Sequence, residues 1–234
     1  MAFMESTAIV SNPHIADIDA LVASRSLLSH PFYQAWSRGE LTLDTLRDYA
    51  QQYFRHVDAF PTYLSAVHSG TQDAATRRHV LSNLMDEEAG NPNHPELWLR
   101  FAEGVGATRD DVKAAEPWTE TSNLVGTLRD ICRNGTTAEG LAALYAYESQ
   151  IPAVAESKIH GLEAFYGIHD SESLAYFRVH IEADREHASV ERALLENYVN
   201  DANAPVVTEA VRKTLDALWE MLSGVCRRHN ISCQ

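Results

Sequence analysis

Three residues on one helical stripe, His180, Asp184 and His187, have the types and spacing to bind metal. Each residue turns an α-helix by about 100°, so positions i, i+4 and i+7 lie along one face. Asp184-x-x-His187 repeats the carboxylate-x-x-His spacing by which helical bundles hold dinuclear iron or manganese. A carboxylate oxygen and an imidazole nitrogen one turn apart converge there on one ion. His180, one turn earlier, can reach a second ion or the far side of the first. Taken alone, an Asp-x-x-His pair on an exposed helix is ordinarily a surface pair.

One helix cannot complete two coordination spheres, so facing helices must contribute. Met85-Asp86-Glu87-Glu88 ends a predicted helix and offers a carboxylate. Glu87 and His94 are seven residues apart, about 10 Å along an unbroken helix, but the Gly90–Pro92 breaker allows both to turn inward. Glu148 lies in the otherwise apolar run Leu141 to Ile151. An ionised carboxylate buried in such a run is costly unless it is paired or bound to metal. By itself Glu148 is equally a salt-bridge partner for Lys158 or an arginine. His56, His68 and His79 read as packing or surface residues. Together, three carboxylates and three imidazoles form a mixed donor set suited to iron or manganese.

Positioning such a set requires several helices around one interior, and the chain reads as helical throughout. Asn12-Pro13 opens a helix to about Leu28, and a short segment runs from Pro31 to Ser37. Thr42 caps Leu43 to His68, where apolar residues recur at threes and fours, Pro61 predicts a kink, and Gly70 ends the helix. Further helices are predicted from Asp73 to Glu88 and from His94 to just before Gly104. Asp110 to Ala115 is a short turn and Pro117 to Thr121 a loop. The remaining helices are Ser122 to Cys132, Thr137 to His160, Ser171 to Tyr198 and Pro205 to Arg228. No alternating strand, internal repeat or linker stands out. The expectation is one all-α domain over residues 1–234, with about seven long helices and flexible ends at 1–12 and 230–234.

The 234 residues are 45% hydrophobic, an ordinary globular value, with 19 basic against 33 acidic side chains and a net charge of −14. That balance argues against nucleic acid and anionic membrane surfaces, both of which need concentrated positive charge. No apolar stretch approaches the roughly 20 residues that span a bilayer. Cys132, Cys226 and Cys233 form no CxxC pair, and the N-terminus lacks a basic region before an apolar run. The expected location is therefore cytoplasmic. A homodimer is the default assembly, since closed two-fold arrangements are common.

Several stretches also resemble a known family. Phe32-Tyr-Gln-Ala-Trp36-Ser-Arg-Gly-Glu-Leu41, Phe60-Pro-Thr-Tyr-Leu-Ser65, Asn83-Leu-Met-Asp-Glu87-Glu, Tyr147-Glu-Ser-Gln-Ile-Pro152 and the His180 to His187 segment are similar to the CADD family, named for association with death domains. The similarity covers about residues 20–200, and the flanks carry little of it. It implies a seven-helix, haem-oxygenase-like bundle related to TenA and PqqC, holding a non-haem dimetal site. The family's ligand pattern falls on Glu87, His94, Glu148, His180, Asp184 and His187.

The resemblance further implies oxygen-dependent formation of p-aminobenzoate, a folate precursor, at the expense of the protein itself. One tyrosine supplies the ring and one lysine the amino nitrogen; the matching positions are Tyr33 and Lys158. Tyr49, Tyr147 and Tyr176 match tyrosines near the family's site that relay electrons or protons. Two metal ions, Fe/Fe or Fe/Mn, are implied, with dioxygen and a reductant from an unidentified electron donor as co-substrates. Without the resemblance, Lys158 reads as a surface lysine near a helix end and Tyr33 as a core aromatic. Two rival readings are a metal-free TenA- or PqqC-like enzyme on an external small molecule and a helical protein-interaction module. TenA-type chemistry needs a cysteine nucleophile, and none of the three cysteines is expected beside the carboxylate-bearing helices. No residue motif for a death-domain partner is visible.

Overall fold

The first helix, α1 (Pro13–Ser24), starts where Asn12 accepts from the His14 amide just ahead of Pro13, a polar cap followed by a helix-opening proline. A computed structural model describes residues 12–232. The remaining helices are α2 (Pro31–Ser37), α3 (Leu43–Gly70), α4 (Ala74–Glu88), α5 (His94–Gly104), α6 (Arg109–Ala114), α7 (Thr119–Asn134), α8 (Thr137–Glu148), α9 (Ile151–Phe165), α10 (Ser171–Tyr198) and α11 (Ala204–Arg228). Among the described residues there is no strand. The two 28-residue helices, α3 and α10, form the centre. α3 packs against α4, α5 and α7, α10 against α5, α8 and α9, and α11 closes the bundle on α7 and α8.

Two differences from the predicted elements have local causes. The predicted Thr137–His160 helix is two helices broken at Ser149-Gln150. Pro152 has no amide hydrogen, and its ring opposes the carbonyl of residue 148, four positions earlier, as proline does in any helix interior. The break leaves Glu148 at the end of α8. α1 stops at Ser24 rather than Leu28 because the Leu27 amide donates to Gln150 Oε1 at 2.8 Å, outside its own helix. α7 begins at Thr119, inside the predicted loop. Pro61 lies within α3, which runs on to Gly70. Among the described residues eleven α-helices replace about seven because α8 and α9 are separate and the short α2, α5 and α6 join the count.

Residues 1–11 and 233–234, most of the ends expected to be flexible, lie outside the described residues. Asn12 is held: its amide and side chain donate to Glu196 Oε2 and the Val199 carbonyl. The Ile231 amide donates to the Cys226 carbonyl at 2.9 Å. No described helix is long and apolar enough to cross a membrane.

Candidate metal centre

Glu87 sits in the last turn of α4, His94 is the first residue of α5, and His180 lies in the first half of α10. One atom capable of binding metal from each falls within 4.8 Å of the other two. Glu148, the last residue of α8, forms a second trio with Asp184 and His187 by the same measure. All six side chains are buried. The Gly90–Pro92 turn closes the gap between Glu87 and His94, bringing His94 Nδ1 to 2.8 Å from Glu87 Oε2. A Cβ at Gly90 would come within 2.9 Å of the Pro92 carbonyl oxygen, so this turn needs glycine. Asn93 then caps α5 by accepting from the Glu96 amide, which fixes His94 at the helix start.

Hydrogen bonds from behind set which ring nitrogens face inward. His180 Nδ1 lies 2.6 Å from the Tyr176 carbonyl. Only an Nδ1–H can donate there, so Nε2 keeps its lone pair and faces Glu87 Oε1 at 3.9 Å. His187 Nε2 donates to Asp86 Oδ2 at 3.1 Å. That leaves Nδ1 directed at Glu148 Oε1 (3.4 Å) and Asp184 Oδ1 (3.6 Å). Outer partners of this kind orient metal-binding imidazoles.

Protein groups alone leave the cluster unsatisfied. His94 Nδ1, His187 Nδ1, Glu148 Oε2 and Asp184 Oδ2 are buried without a hydrogen-bond partner. The 2.8 Å approach of His94 to Glu87 therefore lacks hydrogen-bond alignment, the arrangement of two donor atoms that share a third partner. Such orphaned groups are rare in native interiors. Glu87 and Glu148 also lie at helix C-termini, where the backbone's partial negative charge disfavours a carboxylate and favours a cation. Burial raises the Glu87 pKa and pushes that of Asp184 well above the carboxylate range. Burial opposes charge on His187, but the nearby Asp184 and Glu148 carboxylates and the Asp86 partner outweigh it and hold its pKa up at about 11. Cations at both trios would satisfy every one of these groups. The residues present fit a pair of hard or borderline ions such as iron or manganese. A cavity of about 10 Å³, close to the space of one water, lies among Glu87, His180, Asp184, Tyr147, Tyr176 and Phe60.

Lys158 is not the surface lysine its sequence context suggests: it is 3% exposed. Trp36 positions it, donating from Nε1 to the Lys158 carbonyl at 3.2 Å. The indole lies so close to Gly161 that a Cβ there would meet Trp36 Cδ1 at 2.5 Å. Lys158 Nζ donates to Tyr49 Oη at 2.7 Å, and Tyr49 Oη is 3.3 Å from Tyr33 Oη. Nζ is 5.4 Å from the Tyr33 ring centre and 5.0 Å from that of Tyr49. Burial pushes the Lys158 pKa down to about 7.

Of the five tyrosine and lysine candidates, only Tyr147 and Tyr176 lie at the six donors. The Tyr176 ring is 4.0 Å from the His180 ring, and Tyr147 adjoins Glu148 in the chain. Tyr33, Tyr49 and Lys158 form a second group, joined to the first by two residues that sequence reading does not single out. Tyr49 packs on Tyr53 (5.2 Å), Tyr53 stacks on Trp98 (5.0 Å), and Trp98 meets Tyr176 edge-on (4.8 Å). Tyr53 Oη also donates to Tyr147 Oη at 2.9 Å. In sequence, Tyr53 is one more apolar position of α3.

Three more side chains complete the surroundings. Glu191, one turn after His187 on the same stripe, is 5% exposed and close enough to Glu148 for that carboxyl to help raise its pKa, with Oε2 unpartnered. Its i+4 spacing from His187 was the available signal. Asn83 Nδ2 donates to Glu148 Oε1 at 2.8 Å, so Glu148 pairs there while Lys158 pairs with Tyr49. Cys132, expected away from the carboxylates, is buried close enough to feel Glu148; burial and that charge push its thiol up to about 12. A thiol held protonated is a poor nucleophile.

Residues 47–219 match a family described as iron-containing redox enzymes. The chain belongs to that family. It is 44% identical over 238 residues to the 4-aminobenzoate synthase of Nitrosomonas europaea, covering 97% of each chain. Identity to the 4-aminobenzoate synthase of Chlamydia muridarum is 43% over 215 residues, covering 92% of this chain and 91% of the other. A domain of unknown function with a haem-oxygenase-like fold from Shewanella denitrificans superposes with a TM-score of 0.78 at 18% identity, covering 95% of both chains. The fold is the haem-oxygenase-like one the sequence resemblance implies. Family membership and donor sets agree on a metal-using redox enzyme.

Proposed function

We propose that this chain is a self-sacrificing 4-aminobenzoate synthase, an oxygen-dependent dimetal oxidase that builds its product from its own Tyr33 and Lys158. The observation that carries this reading is the Lys158 amine, enclosed by aromatic rings and bonded to a pair of phenols. Burying an amine without a carboxylate partner opposes its charge and costs stability. That cost is understandable where a neutral, reactive amine is needed. The relatives' names support the product. A tyrosine ring with its Cβ contains the seven carbons of 4-aminobenzoate, and a lysine amine contains its nitrogen.

Glu87, His94 and His180 are assigned one ion and Glu148, Asp184 and His187 the other, as an Fe/Fe or Fe/Mn pair. When bound and reduced by an external donor, such a pair supplies dioxygen activation and hence an oxidant for a phenol. Tyr176 and Tyr147 are the phenols nearest the donors, and Tyr53 and Trp98 carry the aromatic contact on to Tyr49. Burial raises the pKa of Tyr33, Tyr49, Tyr53, Tyr147 and Tyr176. None of them readily releases a proton alone, so electron and proton must leave together. Each phenol then needs an acceptor within hydrogen-bond reach. For Tyr49 that acceptor is Lys158 Nζ, whose low pKa leaves much of it as free base at neutral pH. Only while Tyr49 keeps its proton is the amine lone pair free for the Tyr33 ring, whose centre is 5.4 Å from Nζ. The orphaned donor atoms weigh against a metal-free TenA- or PqqC-like enzyme, and both trios lack a purpose in a helical interaction module.

Metal-loaded protein given dioxygen and a reductant, with no organic substrate, is expected to release at most one 4-aminobenzoate per chain. Ring carbon label should come from tyrosine and nitrogen label from lysine, with Tyr33 and Lys158 altered in the spent protein by mass spectrometry. Yield far above one per chain from an added small molecule would overturn self-consumption.

A further inference from the structure

A cleft of about 150 Å³ opens between α4 and α10 on the outer side of the second trio. His79, Asp86 and Glu186 stand at its lining, with His187, Asn83 and Glu191 also in its wall. His187 is the most exposed of the six assigned ligands, at 9%. Two polar side chains that line the cleft are more than nine-tenths buried and keep an oxygen without a partner: Glu191 Oε2 and Asn83 Oδ1. Asn83 also donates to Glu148 through Nδ2, and Glu191 lies close enough to Glu148 to feel its charge. The cleft therefore presents acids at its mouth and unpartnered hard oxygens at its inner end, beside a buried ligand. Val80, Leu141, Val190 and Leu194 complete the wall, so the polar groups form a track along the cleft rather than its whole lining. Along that track an anion is repelled and a divalent cation is matched.

We propose that this cleft is the path by which divalent cations enter and leave the buried centre, with Glu191 and Asn83 supplying the transfer oxygens at the second trio. The inference rests on the dimetal reading of the six donors. Asp86 joins the path to the centre, since it accepts from His187 Nε2 while lining the cleft. An incoming ion thus meets Asp86 and Glu186 first, then Glu191 and Asn83, then Glu148, Asp184 and His187. A transfer group binds the ion only in passage, so it lowers the barrier equally in both directions and leaves the final affinity alone.

The probe is Mn²⁺, with the full-length chain as wild type, Glu191→Gln and Ser82→Trp. Ser82 is exposed and lines the cleft, so the tryptophan plugs its mouth without entering the core. Uptake is followed by the loss of the free-ion electron paramagnetic resonance signal, and release by transfer to excess chelator. Both variants should slow uptake and release by a similar factor, about tenfold or more, with the dissociation constant unchanged within about twofold. Unchanged rates in Ser82→Trp would overturn the path. Weaker final binding with faster release in Glu191→Gln would overturn the transfer role and make Glu191 a permanent ligand. Wild-type protein that fails to take up two Mn²⁺ per chain would instead sink the dimetal reading itself, and this inference with it.

Discussion

Replacing Lys158 by methionine keeps the unbranched chain as far as its fourth atom but removes an amine that burial discharges. In the folded protein the Lys158 pKa falls from 10.5 to about 7, with desolvation as the cause. Between those values the unfolded chain holds a proton that the folded chain does not, so stability rises with pH across that window. Below pH 7 the full penalty applies, on the order of 5 kcal/mol at about 1.36 kcal/mol per unit. Loss of the Nζ–Tyr49 hydrogen bond returns about 1–2 kcal/mol of that. Lys158→Met should then be more stable than wild type by about 3 kcal/mol at pH 7, or about 6–12 °C in Tm for a chain of this size. At pH 9 the remaining penalty is about 2 kcal/mol, nearly cancelled by the lost bond, and the two proteins should unfold together. The same variant should make no 4-aminobenzoate. Urea unfolding at pH 7 and pH 9, with metal content matched, measures both differences. A variant no more stable at pH 7, or a gap that stays constant with pH, would refute the claim that this amine is held discharged by burial.

Asp184→Asn removes one of the buried carboxylates, so it should stabilise metal-free protein by about 1–3 kcal/mol while lowering bound metal from two ions per chain, read by elemental analysis beside thermal melts. Stripping metal from wild type should cost about 4 kcal/mol per site, about 8 kcal/mol for both, if the ions were present at a thousandfold above their dissociation constants; an unchanged melting curve would contradict a structural contribution from the ions. Trp98→Leu removes the ring between Tyr53 and Tyr176 and should cut 4-aminobenzoate yield by at least about tenfold with both ions still bound, whereas an undiminished yield would exclude this route. Gly161→Ala forces a methyl against Trp36 and should destabilise by about 1–3 kcal/mol, with product loss exceeding that of an exposed control such as Gly126→Ala, whose Cβ meets nothing within 4 Å.

The six donors were legible in the sequence because helical periodicity carries three of them and breakers place the others. His180, Asp184 and His187 follow from 3.6 residues per turn alone. Glu87 and His94 needed the Gly90–Pro92 turn, which glycine and proline announce. Glu148 was visible as an acid in an apolar run, but its place at a helix end was not, because one proline inside a helical pattern can kink or divide it. Glu191 has the same periodic credentials as His187, yet a glutamate on a long acidic helix reads as solvated. The burial of Lys158 was least legible. Its neighbours in sequence are an ordinary amphipathic helix, and the rings around its amine come from α2, α3, α5 and α10.

The geometry also bears on why the substrate should be internal. The space shared by Glu87, His180 and Asp184 is about 10 Å³, room for one small molecule the size of water, far below the several hundred Å³ that usually hold an organic ligand. The larger cleft reaches His187 of the second trio along a track of acids and imidazoles set among apolar side chains, which suits a cation and opposes a carboxylate-bearing precursor. An oxidant formed at such an enclosed centre can act on what already touches it, and apart from the metal-binding groups that is Val57, Phe60 and the phenols of Tyr147 and Tyr176, of which the phenols give up an electron most readily. From there, ring contacts of 4.8 to 5.2 Å lead through Trp98 and Tyr53 to Tyr49, beside an amine that burial keeps near neutrality. A centre closed to organic substrates yet wired by aromatic contact to a reactive lysine and two phenols is poorly built for turnover and well built to spend its own side chains.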